Sequence, residues 1–277
     1  MTICCANNFS LCIMRAMPIR VYTAKSGFPQ MKASFKKNFI HYLQEALGLA
    51  IFMISACFFS AFLWGNITFL HLQIENEILK NIIMAVMMGL TALLIFYSPV
   101  TAPSGSHINP AVTITFLRLD KMCRYDAMFY IIFQFLGGTI AVLIMASLLG
   151  NALTMAPVNY ATTVPGKYGI APAAITEFTI AFITMCTVLF SSNNNKTKKY
   201  TRIFSAILVC TWVIFAGPLS GFGMNPARSF ASAFPAHIYT SFWIYLSMPF
   251  AGMLSAAEFY LVYKKNKRKI YMNQTAE

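Results

Sequence analysis

Long apolar stretches without charged residues alternate with short polar or basic segments along most of this chain. A helix that crosses the hydrocarbon core of a bilayer needs about 20 mainly apolar residues. The stretches predict six membrane spans: one beginning near Phe39, one at 81–97, one beginning at Ala127, and three more at 172–190, 203–219 and 240–263.

Two further apolar segments are too short to cross a membrane. Proline and glycine break the chain after residue 97 and again after residue 219, which leaves short predicted helices at 109–119 and 225–234. Each is about half the length of a span. Non-helical backbone survives at membrane depth only where it is buried in protein or lines a wet cavity. Interrupted segments at matching positions of two halves are typical of a transport site.

The sequence around the two short helices is repeated. Residues 104–112, SGSHINPAV, align with residues 220–228, SGFGMNPAR, and five of the nine positions are identical. Because each half (about 38–150 and 170–264) holds three spans, an odd number, the two copies run in opposite directions across the membrane. The sequence therefore predicts an all-α membrane protein with six transmembrane helices and two half-helices that meet at the midplane in an inverted repeat.

The composition excludes a soluble domain. Charged residues make up 10% of the chain and apolar residues 58%, whereas soluble domains carry roughly 25% charged residues. The net charge of +13 would favour a nucleic-acid partner in a soluble protein, but 18 of the 21 basic residues lie in four clusters that flank the spans. This distribution is typical of cytoplasmic loops, so we predict no nucleic-acid partner and both termini in the cytoplasm. The seven cysteines form no C-x-x-C pair and predict no metal site.

The two ends of the chain are polar and basic. Residues 1–37 contain no sustained apolar run of signal-peptide length. We therefore predict a disordered cytoplasmic arm at 1–37, a channel domain at 38–264 and a cytoplasmic tail at 265–277, in a multi-pass protein of the cell membrane. Met1, Met17 and Met31 are alternative starts that the sequence does not distinguish.

Each repeat contains an Asn-Pro-Ala box. The boxes are Asn109, Pro110 and Ala111 in the first half, and Asn225, Pro226 and Ala227 in the second. Asparagine is a favoured N-cap and proline a favoured first helical residue, so one box alone predicts only a helix start. Two boxes in register favour a pore centre, where facing helix N-termini repel cations and protons. The two asparagines would offer amide donors to a passing oxygen.

Three of the charged residues inside the apolar segments are candidates for a functional role. Arg228 follows the second box by about one turn, where a cation opposes the helix dipole and a charge at membrane depth is costly. A residue that is unfavourable both for the helix and for the membrane is expected at a functional site. The alternative is that the Arg228 side chain extends to the membrane interface, and we favour the functional role. Glu45 and Glu177 each lie in the first span of their half. We predict that they brace the two broken loops through backbone N–H groups, with proton transfer as the alternative.

The paired boxes carry a family resemblance. The second box extends to Asn-Pro-Ala-Arg-Ser, and residues 104–113 read Ser-Gly-x-His-x-Asn-Pro-Ala-Val-Thr. These motifs resemble the aquaporin or major intrinsic protein family over roughly residues 39–263. The resemblance implies a homotetramer of independently conducting protomers in a lipid bilayer. It assigns the selectivity constriction to Met88, Val213, Phe222 and Arg228, and a structural hydrogen bond in the first loop to His107. We predict no cofactor.

The resemblance leaves two solutes as alternatives. Orthodox water channels of the family carry an aromatic residue and a histidine where this chain has Met88 and Val213, and Phe222 is shared with the glycerol facilitators. Ser229 and Ala233 instead match the water branch. We predict a passive water channel that excludes protons and ions, with a facilitator of glycerol or another small neutral solute as the alternative.

Three other classes of protein compete with the channel. A secondary transporter shares the inverted repeat and broken helices but needs ligands for a coupling ion, and an aspartate is absent from every predicted span. An intramembrane enzyme is disfavoured because neither an H-E-x-x-H nor a G-x-S-x-G motif occurs. A purely structural junction protein would confer no permeability on vesicles.

Overall fold

The structure, a computed structural model, describes residues 28–65 and 74–274, with side chains described between Pro29 and Lys267. In that part of the chain the helices are α1 (Phe28–Trp64), α2 (Glu77–Tyr97), α3 (Pro110–Arg118), α4 (Arg124–Leu149), α5 (Asn151–Thr154), α6 (Ile170–Ser192), α7 (Thr201–Ser220), α8 (Pro226–Ala236) and α9 (Trp243–Gln274). Short 3-10 turns lie at Ala102–Ser104, Asn159–Ala161 and Lys198–Tyr200.

The long helices are the predicted membrane spans. Five of them, α1, α2, α4, α6 and α7, are long and apolar enough to cross a membrane. The sixth, α9, is more polar because tyrosines and Glu258 interrupt its apolar residues, yet it packs on α6 as α4 packs on α1. The half-helices are α3, of 9 residues, and α8, of 11 residues. The predicted fold is therefore confirmed.

The first and last helices extend beyond the predicted channel domain. α1 begins at Phe28, so residues 28–37 of the arm predicted to be disordered are helical. α9 continues to Gln274, so residues 265–274 of the predicted tail extend the last span as a helix. Lysine and glutamine are good helix formers, and Pro29 stands at a favoured position in the first turn of α1. Residues 1–27, which make up most of the predicted arm, lie outside the described residues, as do 66–73 and 275–277.

The two halves pack as equivalent units around the inverted repeat. Helix α1 packs on α4 and α6 packs on α9, while α2 and α7 pair across the halves. Each half-helix also contacts a long helix of the other half: α3 contacts α9, and α8 contacts α4. The two half-helices contact each other as well. Six crossings return the chain to the side on which it began. We call the side of Phe28 and Gln274 the near side and the other the far side.

Glycine sets the closest helix contact in each half. Gly137 of α4 faces the backbone of Ala46 in α1, and Gly252 of α9 faces the backbone of Phe178 in α6. A Cβ atom at either glycine would overlap those backbone atoms, because small residues are what allow membrane helices to approach so closely. Ala46 follows Glu45, and Phe178 follows Glu177. The close approach therefore fixes the depth of both buried carboxylates.

We expect the substitution Gly137→Ala to lower the free energy of unfolding by about 1–3 kcal/mol, because the new methyl group must push α1 away from α4. Gly217→Ala is the matched control, since a Cβ atom at Gly217 of α7 would meet no described atom within 4 Å. Thermal unfolding of both variants in detergent measures the difference. Equal unfolding temperatures for the two variants would contradict the proposed role of Gly137.

Candidate functional site

The loop before the first box is built around the buried carboxylate of Glu45. One carboxylate oxygen accepts hydrogen bonds from Ser104 Oγ (2.6 Å) and the backbone N of His107 (2.9 Å). The other accepts from the backbone N of Ile108 (2.6 Å) and from Gln134 Nε2 (2.8 Å). These backbone contacts are of the kind predicted for loop bracing. Four donors satisfy both oxygens of a carboxylate that is fully buried.

Glu177 makes the equivalent contacts before the second box. Its carboxylate accepts from Ser220 Oγ (2.6 Å), from the backbone N of Gly223 (2.8 Å) and from the backbone N of Met224 (2.5 Å). Ser220 matches Ser104 in the sequence repeat, and Met224 matches Ile108. The inverted repeat is thus reproduced at the level of single hydrogen bonds.

The two loops are strained in the same way. Ser106 and Ile108 in the first loop have φ values of 48° and 42°, and Phe222 and Met224 in the second have 53° and 48°. Residues with a Cβ atom rarely adopt this left-handed region, and each such residue costs on the order of 1 kcal/mol. The hydrogen bonds from Ile108 and Met224 to the buried carboxylates offset that cost.

A pair of tyrosines supports the same loops, and the sequence analysis missed their shared role. Tyr130 of α4 donates to the carbonyl of Ser104 (2.9 Å), and Tyr245 of α9 donates to the carbonyl of Ser220 (2.7 Å). The sequence contains a signal for this pairing, because the two halves have nearly equal spacings: Tyr130 follows Ser104 by 26 residues and Tyr245 follows Ser220 by 25. Extending the alignment of the halves beyond the boxes would have found it.

The boxes bring the two half-helices together end to end. Asn109 caps α3 by accepting from the backbone N of Ala111 (2.9 Å), and Asn225 caps α8 by accepting from Ala227 (3.1 Å) and Arg228 (3.2 Å). Each asparagine also donates across the junction. Asn109 Nδ2 donates to the carbonyl of Met224 (3.0 Å) and Asn225 Nδ2 to that of Ile108 (2.6 Å). Pro110 and Pro226 occupy the first helical positions.

His107 lies in the wall of the first loop, buried among aromatic rings. Its Nδ1 is 3.2 Å from Thr113 Oγ1, and its ring stacks on Phe116 with centroids 4.8 Å apart. Tyr130 meets the same imidazole edge to face at 5.4 Å. These contacts give His107 a packed position with one side-chain hydrogen bond, in keeping with the structural role that the resemblance implies.

A cavity of about 210 Å³ lies on the far side of the boxes. Apolar walls come from Phe52 and Trp64 of α1, while Ser60, Asn81 and Thr162 contribute polar groups. The sequence analysis did not single out these five residues, because none is a rare type in a membrane helix or loop. One signal was available for Phe52, which follows Glu45 by seven residues and therefore lies on the same face of α1.

The same cavity contains all four residues that the resemblance assigns to the constriction. Met88 of α2, Val213 of α7 and Phe222 of the second loop line it together with Arg228 of α8. Arg228 is only 8% exposed. Among the described residues its Nη1 atom has no hydrogen-bond partner. The cavity therefore presents one cationic donor among mainly apolar side chains.

Comparison with known proteins places the chain in a family. The family model described as Major intrinsic protein matches residues 32–260. This chain belongs to the major intrinsic protein family. The resemblance drawn from the two boxes is thereby confirmed. Members of the family are channels rather than enzymes. The family match and the long apolar helices show that this major intrinsic protein is a multi-pass membrane protein.

The relatives of this major intrinsic protein are named aquaporins. An aquaporin of the NIP type from Nicotiana alata is 30% identical over 222 residues, covering 79% of this chain and 75% of the relative. Aquaporin NIP1-2 from Oryza sativa subsp. japonica is 32% identical over 173 residues, covering 61% of this chain but only 56% of the relative. The X-ray structure of the aquaglyceroporin from Plasmodium falciparum shares the fold, with a TM-score of 0.68 at 19% identity over 80% of this chain and 95% of that chain.

Proposed function

We propose that this major intrinsic protein is a passive water channel that excludes protons and ions. The observation that carries the proposal is the far-side cavity, whose lining includes Arg228, Phe222, Val213 and Met88. Its volume of about 210 Å³ is far above the roughly 10–15 Å³ that a cavity needs to hold one water molecule. The path continues between the boxes toward the near side.

The centre of the path repels cations through its backbone. The N-termini of α3 and α8 meet there, and each carries about half a positive charge. An amide group has two N–H donors, and Asn109 and Asn225 each use one of them across the junction. The second N–H of each amide binds the oxygen of a passing water. A water whose lone pairs are engaged in this way turns its hydrogens outward and does not relay a proton.

Glycerol or another small neutral solute is the second candidate. Phe52, Trp64 and Phe222 give the cavity aromatic walls that suit the carbon chain of a polyol, while Arg228 suits its hydroxyl groups. The relatives are named aquaporins, whereas the structural neighbour is an aquaglyceroporin. We favour water because Met88 contributes a long apolar side chain to the wall of the cavity where a polyol hydroxyl would need a hydrogen-bond partner. Coupled secondary transport is a distant third reading.

The proposed setting is a cell membrane with the near side facing the cytoplasm. The basic clusters support this orientation, since Lys32, Lys36 and Lys37 of α1 and Lys264 and Lys265 of α9 all lie on the near side. Family resemblance supports a homotetramer in which every protomer conducts. Large apolar side chains exposed along the long helices, such as Leu90, Leu94 and Leu148, provide surface for lipid or for neighbouring protomers.

The test is stopped-flow light scattering on proteoliposomes, first with an impermeant osmolyte and then with glycerol. We expect rapid osmotic shrinkage with slow glycerol uptake, because the constriction should pass single waters more readily than a polyol. The activation energy of shrinkage should fall below that of empty vesicles of the same lipid. A pH-sensitive dye inside the vesicles should report no added proton leak.

The other outcomes separate the candidates. Glycerol uptake as rapid as shrinkage would replace water selectivity with an aquaglyceroporin function. Flux that saturates or requires an ion gradient would indicate secondary transport. Shrinkage equal to that of empty vesicles, with folded protein in the membrane, would overturn the proposal of an open pore.

A further inference from the structure

A chain of polar contacts lies beside the second box and is unused by the mechanism above. Trp212 of α7 donates its indole N–H to Thr184 Oγ1 of α6 (2.9 Å). The hydroxyl of Thr184 in turn points to the sulfur of Met224 (3.4 Å). Met224 is the residue directly before Asn225, and its carbonyl accepts from Asn109 Nδ2. The contact chain therefore ends at the junction of the two boxes.

The position of Thr184 along the proposed permeation path follows from the inverted repeat. Phe52 follows the bracing Glu45 by seven residues, and Thr184 follows the bracing Glu177 by seven. Seven residues are two helical turns, about 10.5 Å, and return to the same face of a helix. Phe52 lies two turns toward the far side and lines the far-side cavity. Because α6 runs in the opposite direction, Thr184 occupies the equivalent wall of the near-side half.

We infer that Thr184 is a hydrogen-bonding site for the permeating solute in the near-side half of the path. The inference deepens the proposed channel function and rests on it. The solute class is an uncharged molecule with an acceptor oxygen, water first. The site would add a donor two helical turns along α6 from Glu177. At the equivalent position of the far-side half, Phe52 supplies only an apolar ring.

The hydrogen-bonding pattern suits Thr184 for donation. A hydroxyl group has one proton and two lone pairs, and the Trp212 N–H occupies one lone pair. The proton is directed at a thioether sulfur, which is a weak acceptor. A water oxygen is a stronger acceptor, so the proton turns from Met224 to a passing solute at little cost. Trp212 acts on this step as a positioning residue, because it holds the orientation of the hydroxyl.

The experiment compares four single variants and one double variant, Thr184→Val with Trp212→Phe, of the full chain in proteoliposomes. Thr184→Val removes the hydroxyl with little change of shape, and Thr184→Ser restores it. Trp212→Phe removes the N–H that orients it. Thr187→Val is the matched control, because Thr187 lies on the same helix and its hydroxyl donates to the carbonyl of Ile183 in its own helix (2.9 Å). Water permeability, its activation energy and the unfolding temperature are measured for each.

We expect Thr184→Val to lower water permeability about two- to tenfold, the range that one hydrogen bond of ordinary strength supports, and to raise the activation energy. Thr184→Ser should restore both, and Thr187→Val should match the wild type. Trp212→Phe should give a smaller loss, and adding it to Thr184→Val should cause no further loss. The non-additive pattern would show that Trp212 and Thr184 act through one contact. A raised activation energy at an unchanged unfolding temperature is the result that a merely structural role would not produce.

Two results would overturn the inference while leaving the channel intact. One is wild-type permeability in Thr184→Val with an unchanged activation energy. The other is an equal loss in Thr184→Val and Thr187→Val, which would reflect a general effect on α6. Failure of the proposed function is distinguishable from both, because the wild-type protein would then shrink no faster than empty vesicles.

Discussion

Replacing Arg228 with alanine is expected to raise glycerol permeability relative to water permeability by about tenfold, the equivalent of ~1.4 kcal/mol in barrier height. The guanidinium lines the far-side cavity together with Met88, Val213 and Phe222. Its removal widens the cavity at this point and deletes a positive charge. Proton and cation leak should therefore rise together with glycerol flux.

Stopped-flow uptake and a pH-sensitive dye measure the two effects of Arg228→Ala on the same vesicles. Lys167→Ala is the control, since Lys167 is an exposed cation in the segment between α5 and α6 and stands outside the cavity lining. Arg228→Lys keeps the charge and should retain cation exclusion better than alanine does. If Arg228→Ala and Lys167→Ala gave the same selectivity, Arg228 would not contribute to the constriction.

The second large effect is expected at the bracing carboxylates. Glu177→Ala should abolish water permeability and lower the free energy of unfolding by about 3 kcal/mol or more, because each buried donor left without a partner costs about 1–3 kcal/mol. Three donors lose their acceptor: the Ser220 hydroxyl and the backbone N–H groups of Gly223 and Met224. Met224 would then be strained without the bond that offsets its positive φ.

Thermal unfolding in detergent and osmotic shrinkage of vesicles test this expectation. Glu177→Gln keeps one acceptor oxygen and should lose less stability than Glu177→Ala. Glu258→Gln provides the control, because that carboxylate on α9 is half exposed and pairs with Arg118 at 2.8 Å, a kind of contact worth about 0–1 kcal/mol. Normal flux in a stable Glu177→Ala protein would show that the loop before the second box holds its shape without the carboxylate.

The membrane architecture was predictable because it depends on local sequence. Uncharged runs of span length locate the helices, and their predicted starts and ends at 81–97, 172–190 and 203–219 lie within four residues of α2, α6 and α7. The ends of α1 and α9 were harder. Charged residues signal where a helix leaves the bilayer but not where the helix stops, so 28–37 and 265–274 were assigned to the arm and tail.

The partners of the buried carboxylates were predictable in kind but not in detail. An intramembrane glutamate needs donors, and the broken loops hold unpaired N–H groups, so Glu45 and Glu177 could be assigned to them. The sequence did not indicate Gln134 as a fourth donor to Glu45, because it lies 89 residues away on α4. Pairings across such distances follow from helix packing.

By itself the sequence determined the six spans, the two half-helices, their inverted relation and the boxes, because run length, helix-start chemistry and internal repetition are all local properties. Only the tertiary structure decided which apolar and small polar side chains line the path. The residue type of Phe52 or Thr184 does not indicate whether the side chain faces lipid, protein or the lumen of the channel. The wall is assembled from α1, α2, α7, α8 and two loops, one at Ala161 and Thr162 and the other at Gly221 and Phe222, so its members are defined by packing and not by neighbours in the chain.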